Sequence, residues 1–148
     1  MYKRQVEFLI SPNLGEPLKP LVKIASGGEI SRIMLAIKSI LAEKDQIPVL
    51  VFDEIDIGIS GRVAQAVGYR LKELAKTHQI ICITHLPQIA SLGDVHFAVE
   101  KVTHDNRTTT VVKKLTQDER IVEIAKLIGG KKVTEVNLKS AEELLKNT

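Results

Sequence analysis

The sequence has very few aromatic and sulfur-containing side chains. It contains no tryptophan, aromatic residues make up only 3% of the chain, and Cys82 is the single cysteine. One cysteine excludes an internal disulfide and a multi-cysteine metal site, and scarce aromatics argue against binding nucleic acid by base stacking. No apolar run approaches the roughly 20 residues that a membrane helix requires. We therefore expect a soluble, cytoplasmic domain with no membrane partner and a core of Ile, Leu, Val and Ala.

The chain also has little excess of one charge sign, since its net charge is only +3 over 148 residues. Residues 1–100 carry equal numbers of basic and acidic side chains, so the whole excess lies in residues 101–148. Surfaces that bind nucleic acid normally show denser basic clusters. The excess is therefore most simply a solvated face, and contact between DNA and the carboxyl-terminal third stays an open alternative.

What the chain does have is an alternation of apolar patterns. Residues 49–52 and 80–83 are continuous apolar runs, which are typical of strands buried on both faces of a sheet. Amphipathic helical patterns lie before, between and after them, which predicts an α/β fold with parallel central strands and flanking helices. Further predictions are a strand at 6–10, an extended loop at 11–20, a hairpin at 95–99 and 108–115, a helix at 118–128 and a short last helix beginning near Ser140. The helix before the first run carries an apolar stripe of Ile30, Ile33, Met34, Ile37, Ile40 and Leu41, and the helix after it one of Val63, Ala64, Val67, Leu71, Leu74 and Ala75.

Two adjacent carboxylates, Asp53 and Glu54, directly follow the first apolar run. A buried parallel strand delivers the residues after it to the carboxyl edge of the sheet, where α/β proteins bind ligands. In nucleotide hydrolases one such carboxylate supports Mg²⁺ through water and the other orients the attacking water. The alternative is a strand that ends in two solvated acids.

The segment Ser26-Gly27-Gly28-Glu29 stands at the amino terminus of a predicted helix. Glycines let a phosphate approach the backbone, and the free N–H groups and dipole of a helix amino terminus attract anions. Glu29 complements the same dipole, so ordinary helix capping is the competing interpretation.

His85 follows the second apolar run and is expected at the same sheet edge as the carboxylates, where it could contact a terminal phosphate or manage a proton. The loop from Asp56 to Gly61 follows the acidic pair and includes Gly58 and Ser60. It is either a strand-to-helix turn with Ser60 as cap or a flexible loop beside a nucleotide and a partner subunit. Cys82 is expected to be a buried, inert thiol.

Taken in order, these motifs resemble the carboxyl-terminal half of the ATPase heads of ABC-type and SMC-like proteins. The segments LVKIASGGEISRIMLAIKSIL, VLVFDEIDIGISGRVA and ITHLPQIA are similar to those of the RecN family of bacterial DNA repair proteins, and the resemblance covers essentially the whole chain. It implies an ATP-binding and ATP-hydrolysing head that acts in double-strand-break repair, recombination and the SOS response to DNA damage.

The resemblance also implies roles for individual residues. Ser26, Gly27, Gly28 and Glu29 match the signature motif, which binds the γ-phosphate of ATP held by the opposite head. Asp53 matches the Walker B aspartate that supports Mg²⁺, Glu54 the glutamate that polarises the hydrolytic water, and His85 the switch histidine. Asp56, Gly58 and Ser60 stand where the D-loop crosses the interface between two heads. Two departures are Ala25, where the motif usually has Leu, and the D-loop sequence itself.

The sequence lacks a Gly-x-x-x-x-Gly-Lys-Ser/Thr P-loop and a heptad segment for a coiled-coil arm. The resemblance places the P-loop, or Walker A motif, in an amino-terminal lobe. We therefore expect residues 1–148 to be the carboxyl-terminal head lobe of a longer protein, inactive as an ATPase alone. Its expected partners are the Walker A lobe, a second head in a homodimer and, through the parent protein on the nucleoid, DNA. The alternatives are another SMC-like or RecF-like head, a non-catalytic interaction module and a metal-dependent hydrolase.

Overall fold

The computed structural model describes residues 6–11, 15–24, 26–42, 44, 46–104, 107–130 and 132–146. Ala25 and part of the predicted hairpin loop therefore lie outside the described residues. The elements in chain order are β1 (Leu9–Ile10), β2 (Lys19–Pro20), α1 (Leu21–Ile24), α2 (Gly27–Leu41), β3 (Val49–Phe52), α3 (Gly61–Leu74), β4 (Gln79–Cys82), α4 (Pro87–Ala90), β5 (Phe97–His104), β6 (Arg107–Lys114), α5 (Gln117–Gly129) and α6 (Glu135–Lys146).

The centre of the fold is a parallel strand pair, as the sequence predicts. Strands β3 and β4 run side by side with Val49 opposite Gln79 and Phe52 opposite Cys82. Helix α3 connects them, and helices α2 and α3 contact each other beside the pair. The main hydrophobic core lies between these helices and one face of the strands, and it consists of Leu35, Phe52, Ile55, Ala64, Leu71, Leu74 and Ile89.

The expectation that both strands are buried on both faces is wrong. Leu50 and Phe52 face the core, whereas Val51 and Ile83 on the opposite side are 62% and 57% exposed. The apolar stripe predicted on α2 is largely uncovered, since Ile30, Met34, Ile40 and Leu41 are exposed. The large side chain that this helix buries is Leu35, which the predicted stripe does not include. The physical reason is that apolar side chains make burial favourable, but a face is buried only where a second layer of structure packs on it.

The carboxyl-terminal part is a hairpin followed by two packed helices. Strands β5 and β6 pair antiparallel, with Phe97 opposite Lys114. The first hairpin strand spans Phe97–His104, which is longer than the predicted 95–99. Helix α5 begins with a capping box of Thr116 and Glu119 and starts at Gln117, one residue before the predicted start at 118, and it packs on α6. Their contact forms a second, smaller core of Ile124, Ala125 and Ala141.

Three other boundaries differ from the sequence-based predictions. Helix α6 begins at Glu135, well before Ser140, because Thr134 and Asn137 hydrogen-bond reciprocally at its start in the manner of a capping box. The short helix α4 was not predicted, and it begins at Pro87, where the missing proline N–H costs nothing. The predicted strand at 6–10 is reduced to Leu9–Ile10, paired with Lys19–Pro20.

Candidate functional site

The amino terminus of α2 is held by a capping box. Ser26 occupies the N-cap, its Oγ accepts a hydrogen bond from the Glu29 backbone N–H at 3.3 Å, and its own N–H donates to Glu29 Oε2 at 2.9 Å. The bond from the Ser26 N–H is the largest of the effects that hold the pKa of Glu29 below its ordinary value. The capping interpretation is therefore confirmed. Ser26 and Gly27 lie exposed at the helix end, whereas Gly28 is buried.

The two glycines lie where the loop after β3 packs against the helix. A Cβ on Gly28 would lie 2.8 Å from the backbone oxygen of Glu54 and 3.0 Å from that of Ile57. A Cβ on Gly27 would collide with the carboxylate of Glu54. Glycine is thus required at position 28 by backbone contacts within the chain, independently of any phosphate, whereas at position 27 the flexible Glu54 side chain could move aside. The predicted signature motif therefore lies against the predicted catalytic glutamate.

Asp53 and Glu54 emerge at the carboxyl end of β3, and both are exposed. Asp53 Oδ1 accepts the Glu54 N–H at 2.9 Å. Glu54 has a φ of 58°, a left-handed conformation that a side chain other than glycine adopts only at a cost. Left-handed residues other than glycine persist only where the surrounding structure holds them, and they are enriched at functional sites.

Helix α2 also fixes this loop through two side chains that follow the glycines. Ser31 Oγ donates to the Asp53 backbone oxygen at 2.8 Å. The Arg32 guanidinium donates to the backbone oxygens of Ile55 and Ile57, at 3.1 Å and 2.8 Å. Sequence reasoning missed both residues, because their partners are more than 20 residues away in the chain and no local pattern marks them.

Asp56 is the buried acid of the site, only 4% exposed. Its Oδ2 accepts hydrogen bonds from Thr84 Oγ1 at 2.7 Å and from the His85 N–H at 2.8 Å, and it lies 2.9 Å from His85 Nδ1. Burial acts to raise the pKa of Asp56, but the hydrogen bonds from Thr84 and His85 together outweigh it, and the pKa lies below its ordinary value. The structure therefore brings an ionised carboxylate under His85.

The rest of the loop is a turn into α3. Gly58 and Gly61 have φ values of 76° and 52°, which suit glycine. Ser60 occupies the N-cap position of α3 but makes no side-chain capping hydrogen bond, so only the position of that predicted cap is confirmed. Gly58 and Ser60 are exposed, so both are accessible to a second molecule.

Cys82 packs against the main hydrophobic core. It is half-buried, and burial, followed by the charges of Asp56 and Asp53, raises the pKa of its thiol to about 12. The thiol stays protonated near neutral pH, in line with the inert role expected from the sequence. Among the described residues there is no group of three or more His, Cys, Asp or Glu side chains placed to hold a metal ion. The helices of the described ranges include none long and apolar enough to cross a bilayer.

The fold and site define the class of protein. A solved structure described as "Structural biochemistry of ATP-driven dimerization and DNA stimulated activation of SMC ATPases" matches 80% of this chain and 70% of its own, with a TM-score of 0.54 and 23% identity. The chain has the α/β fold of an ABC/SMC-type head lobe, with parallel central strands, flanking helices and a β-hairpin.

Sequence comparison narrows this class. The chain is 50% identical over 141 residues to the DNA repair protein RecN of Bacillus subtilis, and 49% identical over 140 residues to RecN of Vibrio cholerae. Each match covers 95% of this chain but only 24% and 25% of the relative, so the chain spans about a quarter of their length. No family model matches. The resemblance to RecN that the motifs predicted is confirmed.

Proposed function

We propose that this chain supplies the signature, Walker B, D-loop and switch-histidine elements of an ATPase head, and that the head serves a RecN-like protein in DNA double-strand-break repair and recombination. The RecN relatives and the SMC-type fold support this assignment. In this proposal ATP-driven closing and opening of paired heads controls the binding of DNA, in the cytoplasm and at the nucleoid.

The observation that carries the proposal is the convergence of the candidate residues on one edge of the β3–β4 pair. Asp53 and Glu54 leave β3 where Phe52 pairs with Cys82, and His85 follows β4 at the same end. The loop of the acidic pair is joined to α2 by Ser31 and to the β4 end through Asp56. The carboxyl edge of parallel strands is where α/β proteins bind nucleotides.

The residues at this edge suit a nucleotide and its metal ion. Asp53 presents an exposed carboxylate, and one or two carboxylates together with phosphate oxygens and water are the usual ligands of Mg²⁺. When bound, Mg²⁺ neutralises charge on the phosphates of ATP. Glu54 would orient and deprotonate the attacking water, and the exposed imidazole of His85 would contact the γ-phosphate.

The signature residues would act on a second head. Gly27 and Gly28 at the amino terminus of α2 would offer backbone N–H groups and a helix dipole, and Ser26 its hydroxyl, to the γ-phosphate of ATP bound by the partner head. Glu29 would keep Ser26 in place through the capping box. The exposed Gly58 and Ser60 would lie at the same interface, so each ATP would be enclosed by two copies of the head.

The chain also needs a P-loop from elsewhere. Its sequence has none, and P-loop backbone N–H groups normally cradle the phosphates. An uncovered apolar surface on β3 and β4 supports an amino-terminal Walker A lobe as partner, since exposed patches of this kind mark interaction sites. Its members are Val49, Val51, Ile81 and Ile83, all of them exposed.

The test is reconstitution of the head. The chain is mixed with the amino-terminal, P-loop-containing lobe of a RecN relative, and ATPase turnover is measured with and without Mg²⁺. We expect turnover only in the mixture, and Glu54→Gln should lower kcat by about a hundredfold or more, because a positioned base contributes that much. Glu73→Gln, on the exposed surface of α3, is the matched control and should leave turnover unchanged.

Two outcomes would overturn the proposal. Glu54-dependent hydrolysis by the chain alone would show that no P-loop lobe is needed. An active mixture that tolerates Glu54→Gln would remove the catalytic assignment and favour a non-catalytic interaction module.

A further inference from the structure

A buried carboxylate lies directly beneath the exposed imidazole of His85. The side chain of Asp56 is 4% exposed and that of His85 is 71% exposed, with Asp56 Oδ2 and His85 Nδ1 2.9 Å apart. The same oxygen accepts the His85 backbone N–H and the Thr84 hydroxyl. Backbone and side chain of His85 are thus both attached to one fixed group.

The chemistry of the pair settles which ring nitrogen carries hydrogen. An ionised carboxylate only accepts hydrogen bonds, so a contact of 2.9 Å with it requires a proton on Nδ1. In the neutral imidazole the proton is then absent from Nε2, which is left as an acceptor on the exposed side of the ring. Without this carboxylate the ring would be free to choose either tautomer and to rotate.

Thr84 makes the arrangement stiffer. Its hydroxyl donates to Asp56 and at the same time accepts the Leu86 N–H at 3.1 Å, at the start of α4. The carboxylate is therefore held by the strand end that carries His85 as well as by its own loop. A group that served only to close the turn would need the backbone bonds but not the contact with the ring.

We propose that Asp56 is a positioning residue, which holds the His85 ring in one orientation with Nδ1 as donor and Nε2 directed outward for the nucleotide. This inference rests on the proposed function. It gives the Asp56 side chain a role within its own head, while its place in the D-loop interface, with Gly58 and Ser60, stays a prediction. Because Nε2 is the acceptor of the neutral ring, it would accept a hydrogen bond from the attacking water, whereas a hydrogen bond to an oxygen of the γ-phosphate would need a proton on Nε2 as well.

The first test is spectroscopic and needs no ATPase activity. Nitrogen-15 NMR of the histidine side chains in the 148-residue chain is recorded at about pH 8.5, well above the ordinary imidazole pKa. We expect His85 to show a protonated Nδ1 and a bare Nε2. Asp56→Ala should return it to the Nε2-protonated form that predominates in unconstrained histidine. A protonated Nε2 in the unchanged chain would overturn the proposal, and this result does not depend on any variant folding.

Two further variants separate positioning from stability. Thr84→Val removes one bond to Asp56 but leaves the contact with the ring, so the tautomer should persist. Asp94→Asn changes an exposed aspartate elsewhere and is the matched control for loss of one negative charge. An altered tautomer in Asp94→Asn would overturn the assignment to Asp56.

The second test uses the reconstituted head. Asp56→Asn should lower kcat roughly tenfold to a hundredfold with little change in the KM for ATP, because misplacement of a catalytic group by about 1 Å costs that much. In a His85→Ala background the same change should cost nothing more, which is the signature of residues acting as a unit. Additive losses would overturn the proposal. The expected tautomer in a head whose turnover ignores His85 would instead count against the proposed function.

Discussion

The two regions of the molecule bury their apolar side chains in different ways. The sheet region, residues 26–92, has the larger core but covers one face of β3 and β4 only. The tail region, residues 97–146, has a small core that α5 and α6 close against each other. The candidate site lies in the region whose sheet is half-covered, and the tail region contributes none of the site residues.

This difference indicates how the chain is built for assembly. A helix pair can complete its core from neighbouring residues, whereas a parallel strand pair has two faces and needs a layer on each. The sheet region supplies a layer on one face, and on that side Ser31, Arg32 and Asp56 fix the site loops. The other face is left for the proposed Walker A lobe.

The largest expected effect distinguishes the two faces of the sheet region. Ile55 is fully buried in its core, so Ile55→Ala should lower the free energy of unfolding by about 2–5 kcal/mol. Ile83→Ala makes the same chemical change on the open face and should cost less than about 0.5 kcal/mol in this chain. Urea denaturation measures both. Equal losses would mean that the open face is already covered in solution.

The Ile83→Ala variant also tests the proposed binding of the Walker A lobe to the open face. With the Walker A lobe present, Ile83→Ala should weaken binding between the two polypeptides, as measured by titration calorimetry. Binding that is insensitive to Ile83 would place the contact of the lobes elsewhere.

The second prediction concerns the close packing of α2 on the loop after β3. Gly28→Ala places a Cβ against two backbone oxygens that cannot move aside cheaply, and it should cost about 1–3 kcal/mol. Gly93→Ala is the matched control, since its nearest neighbour would be the Val95 oxygen at an ordinary 3.5 Å. Thermal unfolding should show a lower Tm for Gly28→Ala alone. A tolerated Gly28→Ala would leave phosphate approach as the remaining reason for glycine there.

Much of this arrangement could be predicted from the sequence because local patterns cause it. The apolar runs specify the parallel pair, and the Ser26–Glu29 and Thr116–Glu119 capping boxes mark two helix starts. Long-range polar contacts have no such local pattern. The bonds of Arg32 to the Ile55 and Ile57 oxygens join residues that are far apart in the chain, so the motifs revealed the residues of the site but not what holds them.

Burial could not be predicted for a related reason. Hydrophobicity reports what a side chain gains from burial, whereas the covering layer comes from whatever other chain segment is present. Val51 is an apolar residue of the kind found in cores, and it remains exposed. The helix start near Ser140 was misplaced because an asparagine at 137 serves the role that glutamate serves in the usual capping box.

The smallest expected effect lies in the tail region, at the pair formed by Lys113 and Glu119. The hydrogen bond from Lys113, followed by those from Thr116, lowers the pKa of Glu119 to about 2. Because the folded pKa lies below the unfolded one, the pair stabilises the fold above the unfolded pKa, and this contribution is lost as the pH falls from about 4.3 towards the folded value. The pair is solvent-exposed, so the contribution is small and should weaken with salt.

Glu119→Gln keeps the capping box but loses the charge, so its Tm should fall less than that of the unchanged chain when the pH is lowered through this range. Lys113→Gln should likewise weaken the dependence of Tm on pH. The double variant should show no further weakening, because both substitutions remove the same interaction. Parallel curves for all the chains would show that the pair does not join the hairpin to α5 in solution. Such a result would leave α5 held by its packing on α6 and α4 and by the hydrogen bonds from Arg120 to the backbone oxygens of Ser91 and Gly93. The tail region would then rely on the same device as the sheet region, where Arg32 binds the backbone oxygens of Ile55 and Ile57.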